Sequence, residues 1–328
     1  MNNIFHSEDN YNKYSGIHSN LIKGDENVLS DVDITVLMPI FNHHRYLKCA
    51  IESIINQKTQ KKIAILIVDN DSSNSFGNED IIKSIDDNRI VYYRNEQNIG
   101  AAGNWNRCIE LCKSKYFTFL HDDDMLKENA IETLFEIKNV SKADFVFACF
   151  DKINERGEII SHIDSRASYR KINLEQMLIE NYCQTGEAVL FSRDIMLKLG
   201  GFSEEYKPCF DYALYSRAVY EYNAVKCLKP ILNYRIAEND TLSCYKDIPT
   251  IDEFVRKCII GKLKYPQKIL LRYNKSVSQV QRNMIYNVFG GQNNGRYDKI
   301  NVFDRLLLRI VHRFILNISS YKSKIYYL

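Results

Sequence analysis

Several features that would place a chain in a specialised class are missing from this sequence. None of its nine cysteines forms a CxxC pair, and Cys108 and Cys112, four residues apart on a predicted helix, are typical of small buried thiols. No signal peptide is visible, which together with the cysteine usage favours a reduced, cytoplasmic compartment. No uninterrupted apolar run reaches the roughly 18 residues that a membrane-spanning helix requires.

Two nucleotide-binding fingerprints are also missing. The chain contains neither the dinucleotide motif GxGxxG nor the phosphate loop GxxxxGK(S/T). Its net charge of +3 is too small to indicate nucleic-acid binding. Any nucleotide chemistry must therefore rest on other residues.

The composition is that of a folded protein with a polar beginning. Hydrophobic residues make up 45% of the 328 residues, which is enough for one large domain or two smaller ones. Residues 1–30 are rich in Asn, Asp and Ser and show no hydrophobic periodicity. We expect them to form a mobile or loosely docked arm.

From residue 34 to residue 150, short apolar runs alternate with amphipathic segments. The runs predict buried strands at 34–38, 63–68, 90–93, 116–120 and 144–150. The segments between them have apolar residues at helical spacing, for example 46–57 and 127–138. This order predicts an α/β fold, a Rossmann-like, doubly wound and mainly parallel sheet.

Polar residues follow three of the predicted strands. They are Phe41–Asn42, Asp69–Asn70–Asp71 and Asp122–Asp123–Asp124. Ligands of parallel sheets bind beyond the carboxyl ends of the strands, so we expect these clusters to meet at one edge of the sheet.

The three consecutive aspartates are the most distinctive cluster. Adjacent carboxylates repel one another, and a divalent cation with oxygen ligands is the usual compensation. In an extended loop, Asp122 and Asp124 would point the same way and Asp123 the other. The alternative is a solvated turn in which Asp124 caps the next helix.

The alternation weakens after residue 150 and gives way to helices. Short strands are predicted at 225–228 and 231–236, and residues 246–328 read as a helical, basic and amphipathic region. In 302–318 the apolar face consists of Phe303, Leu306, Leu307, Ile310, Val311, Phe314 and Ile318. Two interpretations of this face stay open. It docks on protein, either the rest of the chain or a second subunit of a homodimer, or residues 302–328 make peripheral contact with an anionic membrane.

Five motifs in order resemble the family 2 (GT-A type) inverting glycosyltransferases. They are Val36–Asn42, Ile67–Ser72, Asn98–Asn106, His121–Asp124, and Gly200–Gly201–Phe202 followed by Asp211. The resemblance implies a GT-A domain over 31–245, with a nucleotide-sugar half at 31–150 and an acceptor half at 151–245. It further implies a metal-dependent enzyme of bacterial surface-polysaccharide (capsule) synthesis that moves a sugar from a UDP-sugar to a saccharide or lipid-linked acceptor.

The resemblance also implies roles for single residues. Asp69 would bind the base and Asp122 the ribose, while Asp124, together with Asp122, would bind Mn²⁺ or Mg²⁺ as in a DXD motif. Asp211 would be the catalytic base. The remaining donor-binding positions are Pro39, Phe41, Asn42, Gly100, Asn104 and Asp123.

Two departures keep other functions open. The acidic pair usual in the family reads Phe210–Asp211, and the histidine of many relatives is replaced by Ala237. A catalytically weakened nucleotide-sugar-binding protein of the same fold is therefore an alternative. A sugar nucleotidyltransferase is another, although 39–44 lacks the basic, glycine-rich phosphate loop of such enzymes.

Overall fold

The computed structural model describes residues 1–6, 8–42, 45–179, 181–183, 186–236, 246–289, 302–322 and 325–326. Strands and helices alternate in its first half. In chain order the elements are β1 (Ser19–Lys23), β2 (Ile34–Ile40), α1 (Leu47–Ile55), β3 (Ile63–Asp69), α2 (Asn78–Ser84), β4 (Ile90–Asn95), α3 (Gly100–Leu111), β5 (Tyr116–Phe119), β6 (Met125–Leu126), α4 (Ala130–Ser141) and β7 (Phe145–Ile153).

The second half has shorter strands and ends in three long helices. Its elements are β8 (Ile159–Ser161), β9 (Tyr169–Lys171), α5 (Leu174–Ile179), β10 (Phe191–Ser192), α6 (Arg193–Lys198), α7 (Phe210–Glu221), β11 (Ala224–Arg235), α8 (Ile248–Lys262), α9 (Gln267–Phe289), α10 (Val302–Lys322) and β12 (Ile325–Tyr326).

Two sheets organise these elements. The first has the strand order β1-β4-β3-β2-β5-β10, in which the four central strands are parallel and the two edge strands antiparallel. The second has the order β12-β9-β11-β7-β8, and a bridge between Val146 and Leu190 joins it to the first. The architecture is the predicted mixed α/β fold with a largely parallel central sheet.

The central sheet is covered on both faces, which explains its continuous apolar strands. Every residue of β3 is buried. Ile63, Ile65 and Ile67 belong to the same core cluster as residues of α1 and α4, whereas Ala64, Leu66 and Val68 belong to the cluster that includes α3. Because successive side chains of a strand point to opposite faces, a strand between two helical layers must be apolar at every position.

The N-terminal arm packs against the domain, although its composition predicted a mobile or loosely docked segment. Its β1 pairs antiparallel with β4, and Ile4 and Leu29 are buried in the core. The hydroxyl of Tyr11 donates a hydrogen bond of 3.0 Å to the carbonyl of Met196. The arm is held by a few apolar residues. They show no periodicity in a polar segment, so hydrophobic patterning does not detect them.

Two local predictions also need correction. The helix predicted at 127–138 begins only at Ala130, because Met125–Leu126 forms β6 and pairs with β11. The strands predicted at 225–228 and 231–236 are one strand, β11, whose pairing with β7 shifts register around Pro230. Proline lacks an N–H, which accounts for an irregular ladder at this point.

The C-terminal helices pack on the preceding domain. Helix α8 contacts α5 and α7, and α10 contacts α5 and α9. The guanidinium of Arg256, completely buried in α8, donates to Asn274 and Ser278 of α9 at 2.7 and 2.8 Å. Within the described ranges, no helix is both long enough and apolar enough to span a bilayer.

We expect Leu29→Ala to lower the free energy of unfolding by about 3 kcal/mol, because truncating a buried leucine leaves a cavity. Leu29 is completely buried. Urea unfolding followed by circular dichroism measures the change. Leu21→Ala is the matched control in the same arm, since Leu21 is 44% exposed. A small effect for both variants would contradict a docked arm.

Candidate active site

A cleft of about 720 Å³ opens at the carboxyl ends of β2, β3 and β5. This is the position expected for a ligand site in a parallel α/β sheet. Eight of the predicted site residues line it: Pro39, Phe41, Asn42, Gly100, Asn104, Asp122, Asp123 and Asp211. Asp69 and Asp124 lie behind its surface, where both are buried.

The acidic triplet follows β5 in a turn. His121, Asp123 and Asp124 place ligand atoms within 4.8 Å of one another, so these three side chains could hold a cation. Asp122, predicted as a metal ligand, is not in this set. The prediction assumed an extended loop with alternating side chains, but residues 122–123 form a turn before β6.

Glu187 fixes the position of His121, the first residue of this cluster, by hydrogen bonding. Its carboxylate accepts a hydrogen bond from the backbone N–H of His121 and pairs with Nδ1 of the same residue, both at 2.9 Å. Burial lowers the pKa of His121, but the Glu187 carboxylate raises it more, to about 9. Glu187 thereby fixes the position of the His121 side chain.

Asp124 is the most deeply buried acid of the triplet. Its Oδ1 accepts a hydrogen bond of 2.5 Å from the backbone N–H of Arg235, and its side chain also interacts with the carboxyl group of Glu187. Burial and the neighbouring Glu187 raise the pKa of Asp124 well above its usual range. A buried carboxylate beside other carboxylates fits a divalent cation.

Arg235 fixes the other side of the triplet. Its Nε donates to the carbonyl of Asp123 at 2.7 Å, and its Nη1 donates to the carbonyl of Asn154 at 2.8 Å. The guanidinium also lies 4.1 Å from the ring centre of Tyr46. Ala237, the second departure from the family pattern, lies outside the described residues.

Asp69 is held by the protein itself. Its carboxylate accepts hydrogen bonds from the backbone N–H of Asp71 at 2.9 Å, the hydroxyl of Tyr92 at 3.0 Å and the amide of Asn78 at 3.3 Å. Burial raises its pKa to about 6 despite these bonds. A direct contact with a nucleobase stays a prediction, since Asp69 does not line the cleft.

Asn104 and Gly100 shape the cleft through the backbone. The Asn104 amide donates to the carbonyls of Val68 and Ile40 at 3.0 and 3.3 Å, which ties together the ends of β3 and β2. Gly100 has a φ of 76°, which favours glycine at the first residue of α3. The predicted donor-binding role of Asn104 stays a prediction beside this positioning role.

Phe41 is a better placed candidate for base contact. Its side chain is 37% exposed and lines the cleft, and its ring meets Phe76 edge-on at 5.9 Å. Asn42 follows it on the cleft wall. An exposed aromatic at the end of a parallel strand is suited to stacking on a planar ligand.

Asp211 lies in the first turn of α7 and faces the cleft. Its Oδ2 accepts a hydrogen bond of 2.9 Å from the amide of Asn181, just beyond α5. Burial raises its pKa to about 6, although the bonds from Tyr212 and Asn181 favour the charged form. At neutral pH this carboxylate is ionised, yet it is more basic than an exposed aspartate.

The chain's single tryptophan joins the two halves of the cleft. The Trp105 ring lies 5.2 Å from the His121 ring and 5.4 Å from the Phe210 ring, next to Asp211. Gly186 lets it fit, because a Cβ there would come within 2.3 Å of Cη2 of the indole. Asn106 secures the neighbouring Gly201–Phe202 turn through two hydrogen bonds of 2.8 Å to the Phe202 backbone.

Sequence reasoning missed several cleft residues. Lys207, Asn181 and Asp252 all line it, and Asp252 comes from α8, beyond the expected end of the catalytic region at residue 245. Asp252 accepts a hydrogen bond from Gln281 at 2.9 Å and pairs with Arg256 at 3.7 Å. No local motif marks these positions, so only the tertiary fold identifies them.

The sequence profile of glycosyl transferase family 2 matches residues 35–200, half of the chain. This protein therefore belongs to glycosyl transferase family 2. It is 26% identical over 214 residues to a glycosyltransferase of Methanocaldococcus jannaschii, covering 63% of this chain and 72% of that protein.

Two relatives come from Streptococcus pneumoniae. Glycosyltransferase GlyA is 31% identical over 168 residues, covering 50% of this chain and 24% of GlyA. Glycosyltransferase GlyG is 34% identical over 122 residues, covering 37% of this chain and 40% of GlyG. The chain thus spans less than half the length of either pneumococcal relative.

Solved structures of S. aureus TarS share the fold. Residues 1–349 of TarS in complex with UDP-GlcNAc superpose with a TM-score of 0.58 at 13% identity, covering 88% of this chain and 81% of that one. The complex with UDP gives a TM-score of 0.57, also at 13% identity. The likeness confirms the GT-A fold.

We expect Gly186→Ala to displace the Trp105 ring, because the new Cβ would overlap the indole. Such overpacking costs about 1–3 kcal/mol of stability. The single tryptophan makes its fluorescence spectrum a direct probe of this change. Gly261→Ala in α8 is the matched control, since no described atom outside its own stretch of helix lies within 4 Å of the Cβ position. Identical spectra for both variants would show that Gly186 does not position Trp105.

Proposed function

We propose that this protein is a metal-dependent, inverting glycosyltransferase that moves a sugar from a nucleoside-diphosphate donor, a UDP-sugar, to a hydroxyl of a saccharide or lipid-linked acceptor. The proposal rests on the observation that two groups with complementary chemistry lie at one cleft. Asp211 is suited to deprotonate a hydroxyl, and the cluster of His121, Asp123 and Asp124 is suited to hold a cation beside a diphosphate.

The negative charge of the donor and of the acidic triplet is the reason for proposing a cation. A nucleoside diphosphate is negative, and the carboxylates of the triplet alone would repel it. Bound Mn²⁺ or Mg²⁺ would neutralise charge that develops on the leaving diphosphate. Asp123 and Asp124 offer the oxygen ligands that these hard cations prefer, and His121 offers a nitrogen.

Asp211 supplies the acceptor chemistry. Inverting transfer is one displacement: the acceptor oxygen bonds to the anomeric carbon as the bond from that carbon to the diphosphate breaks. The acceptor proton must pass to a base, and a pKa of about 6 lets Asp211 accept it near neutral pH. Asn181 fixes the carboxylate through its hydrogen bond of 2.9 Å.

The donor class rests on the solved structures of relatives. TarS structures contain UDP-GlcNAc and UDP, which supports a uridine nucleotide here. Phe41 and Asn42 on the cleft wall are the candidates for contact with its base and ribose. We place the reaction in bacterial surface-polysaccharide synthesis, at the cytoplasmic side of the membrane.

We expect Asp211→Asn to reduce sugar transfer about 1000-fold while leaving donor affinity within about threefold, since the lost function is proton abstraction. Transfer is measured as UDP release with acceptor, and affinity by titration calorimetry. Asp194→Asn, at an exposed position of α6, is the control and should keep full activity. Full turnover by Asp211→Asn would refute its role as base.

The pH dependence gives a second readout. The base must be ionised, so kcat/KM of the wild type should rise through pH about 6 and then level off. The Asp211→Asn variant should lose this rise. An inactive wild type that still binds UDP-sugar with Mn²⁺ would instead favour a nucleotide-sugar-binding protein of the same fold.

A further inference from the structure

Helix α10 has a second apolar face that the fold leaves in water. Val311 and Ile315 are buried against the domain, and Leu307 and Leu308 pack beside them. On the adjacent side, Val302, Leu306, Ile310 and Phe314 are 84, 53, 58 and 51% exposed, and the Phe314 ring also meets Tyr265 edge-on at 6.0 Å. Because they recur every four residues, these side chains form one continuous stripe along the helix.

Three arginines run beside this stripe. Arg305, Arg309 and Arg313 are all exposed, and each precedes a stripe residue by one position. The single acidic residue in the sequence of α10, Asp304, pairs with Arg272 of α9 at 2.8 Å. The outward face of α10 therefore combines an apolar row with a parallel row of positive charge.

We propose that this outward face of α10 docks the protein on an anionic lipid bilayer. The apolar row would enter the boundary between headgroups and acyl chains, and the arginines would contact the acidic headgroups. The inference goes beyond the glycosyl-transfer chemistry and does not depend on it.

Charge argues against a second copy of this chain as the occupant. A two-fold contact places the same patch on both subunits. It would bring the three arginines of one copy against the three of the other, and like charges in an interface are costly. An anionic bilayer satisfies the charge and the apolar row together.

The position of α10 suits this role. The helix packs on α5, and Asn181, two residues beyond α5, holds the Asp211 carboxylate. Docking through α10 would therefore place the acceptor side of the cleft close to the bilayer in the sequence of contacts from α10 to α5 to Asn181.

Vesicle sedimentation with the full chain tests the proposal. We expect binding to vesicles of phosphatidylcholine and phosphatidylglycerol in equal parts, and little binding to phosphatidylcholine alone. Replacing Arg305, Arg309 and Arg313 together by Gln should weaken partitioning roughly 100-fold. Replacing Leu306, Ile310 and Phe314 together by Ser should abolish binding that persists at high salt.

Matched controls distinguish binding through this face of α10 from general effects of protein charge and surface hydrophobicity. Lys48, Lys58 and Lys62 are exposed elsewhere, and replacing all three by Gln removes the same charge. Ile159→Ser with Ile160→Ser removes exposed apolar groups of β8. Both controls should bind like the wild type. Loss of binding in these controls, no binding by the wild type, or a dimer that only the α10 variants dissociate would overturn the proposal.

Discussion

Four carboxylates converge beyond the end of β5, and the surrounding structure is arranged to tolerate their mutual repulsion. Asp122, Asp123 and Asp124 follow the strand directly, and Glu187 approaches from the other half of the chain. Like charges held at close range favour protonation unless positive charge is supplied. Nδ1 of His121 pairs with Glu187, and the proposed cation would supply the positive charge.

This cluster also explains why the two halves of the domain depend on each other. The triplet belongs to the central sheet, but the groups that hold it come from later in the chain: Glu187 pairs with His121, and Arg235 contacts the backbone of Asp123. Trp105 extends the connection from His121 to Phe210, beside Asp211. A donor bound at one part of the cleft and an acceptor at another would therefore share one packed scaffold.

Patterns local in the chain were sufficient to predict the four parallel strands of the central sheet and the order of the motifs. Ile63 to Val68 are apolar at every position because helices cover both faces of the sheet. An apolar run without alternation therefore indicates such a strand directly from the sequence. The docked arm, the buried Asp69 and the contribution of Asp252 could not be predicted this way. Each depends on contacts between distant parts of the chain, such as Tyr92 with Asp69, which no single-segment pattern contains.

The most direct test of the central claim is the affinity for UDP measured by titration calorimetry with Mn²⁺ and with a chelator. If the cluster of His121, Asp123 and Asp124 holds a cation beside the diphosphate, chelation should weaken binding at least roughly 100-fold, as expected when like charges meet uncompensated. The Asp124→Asn variant should bind weakly in both conditions. Equal affinity of the wild type with Mn²⁺ and with chelator would contradict the account.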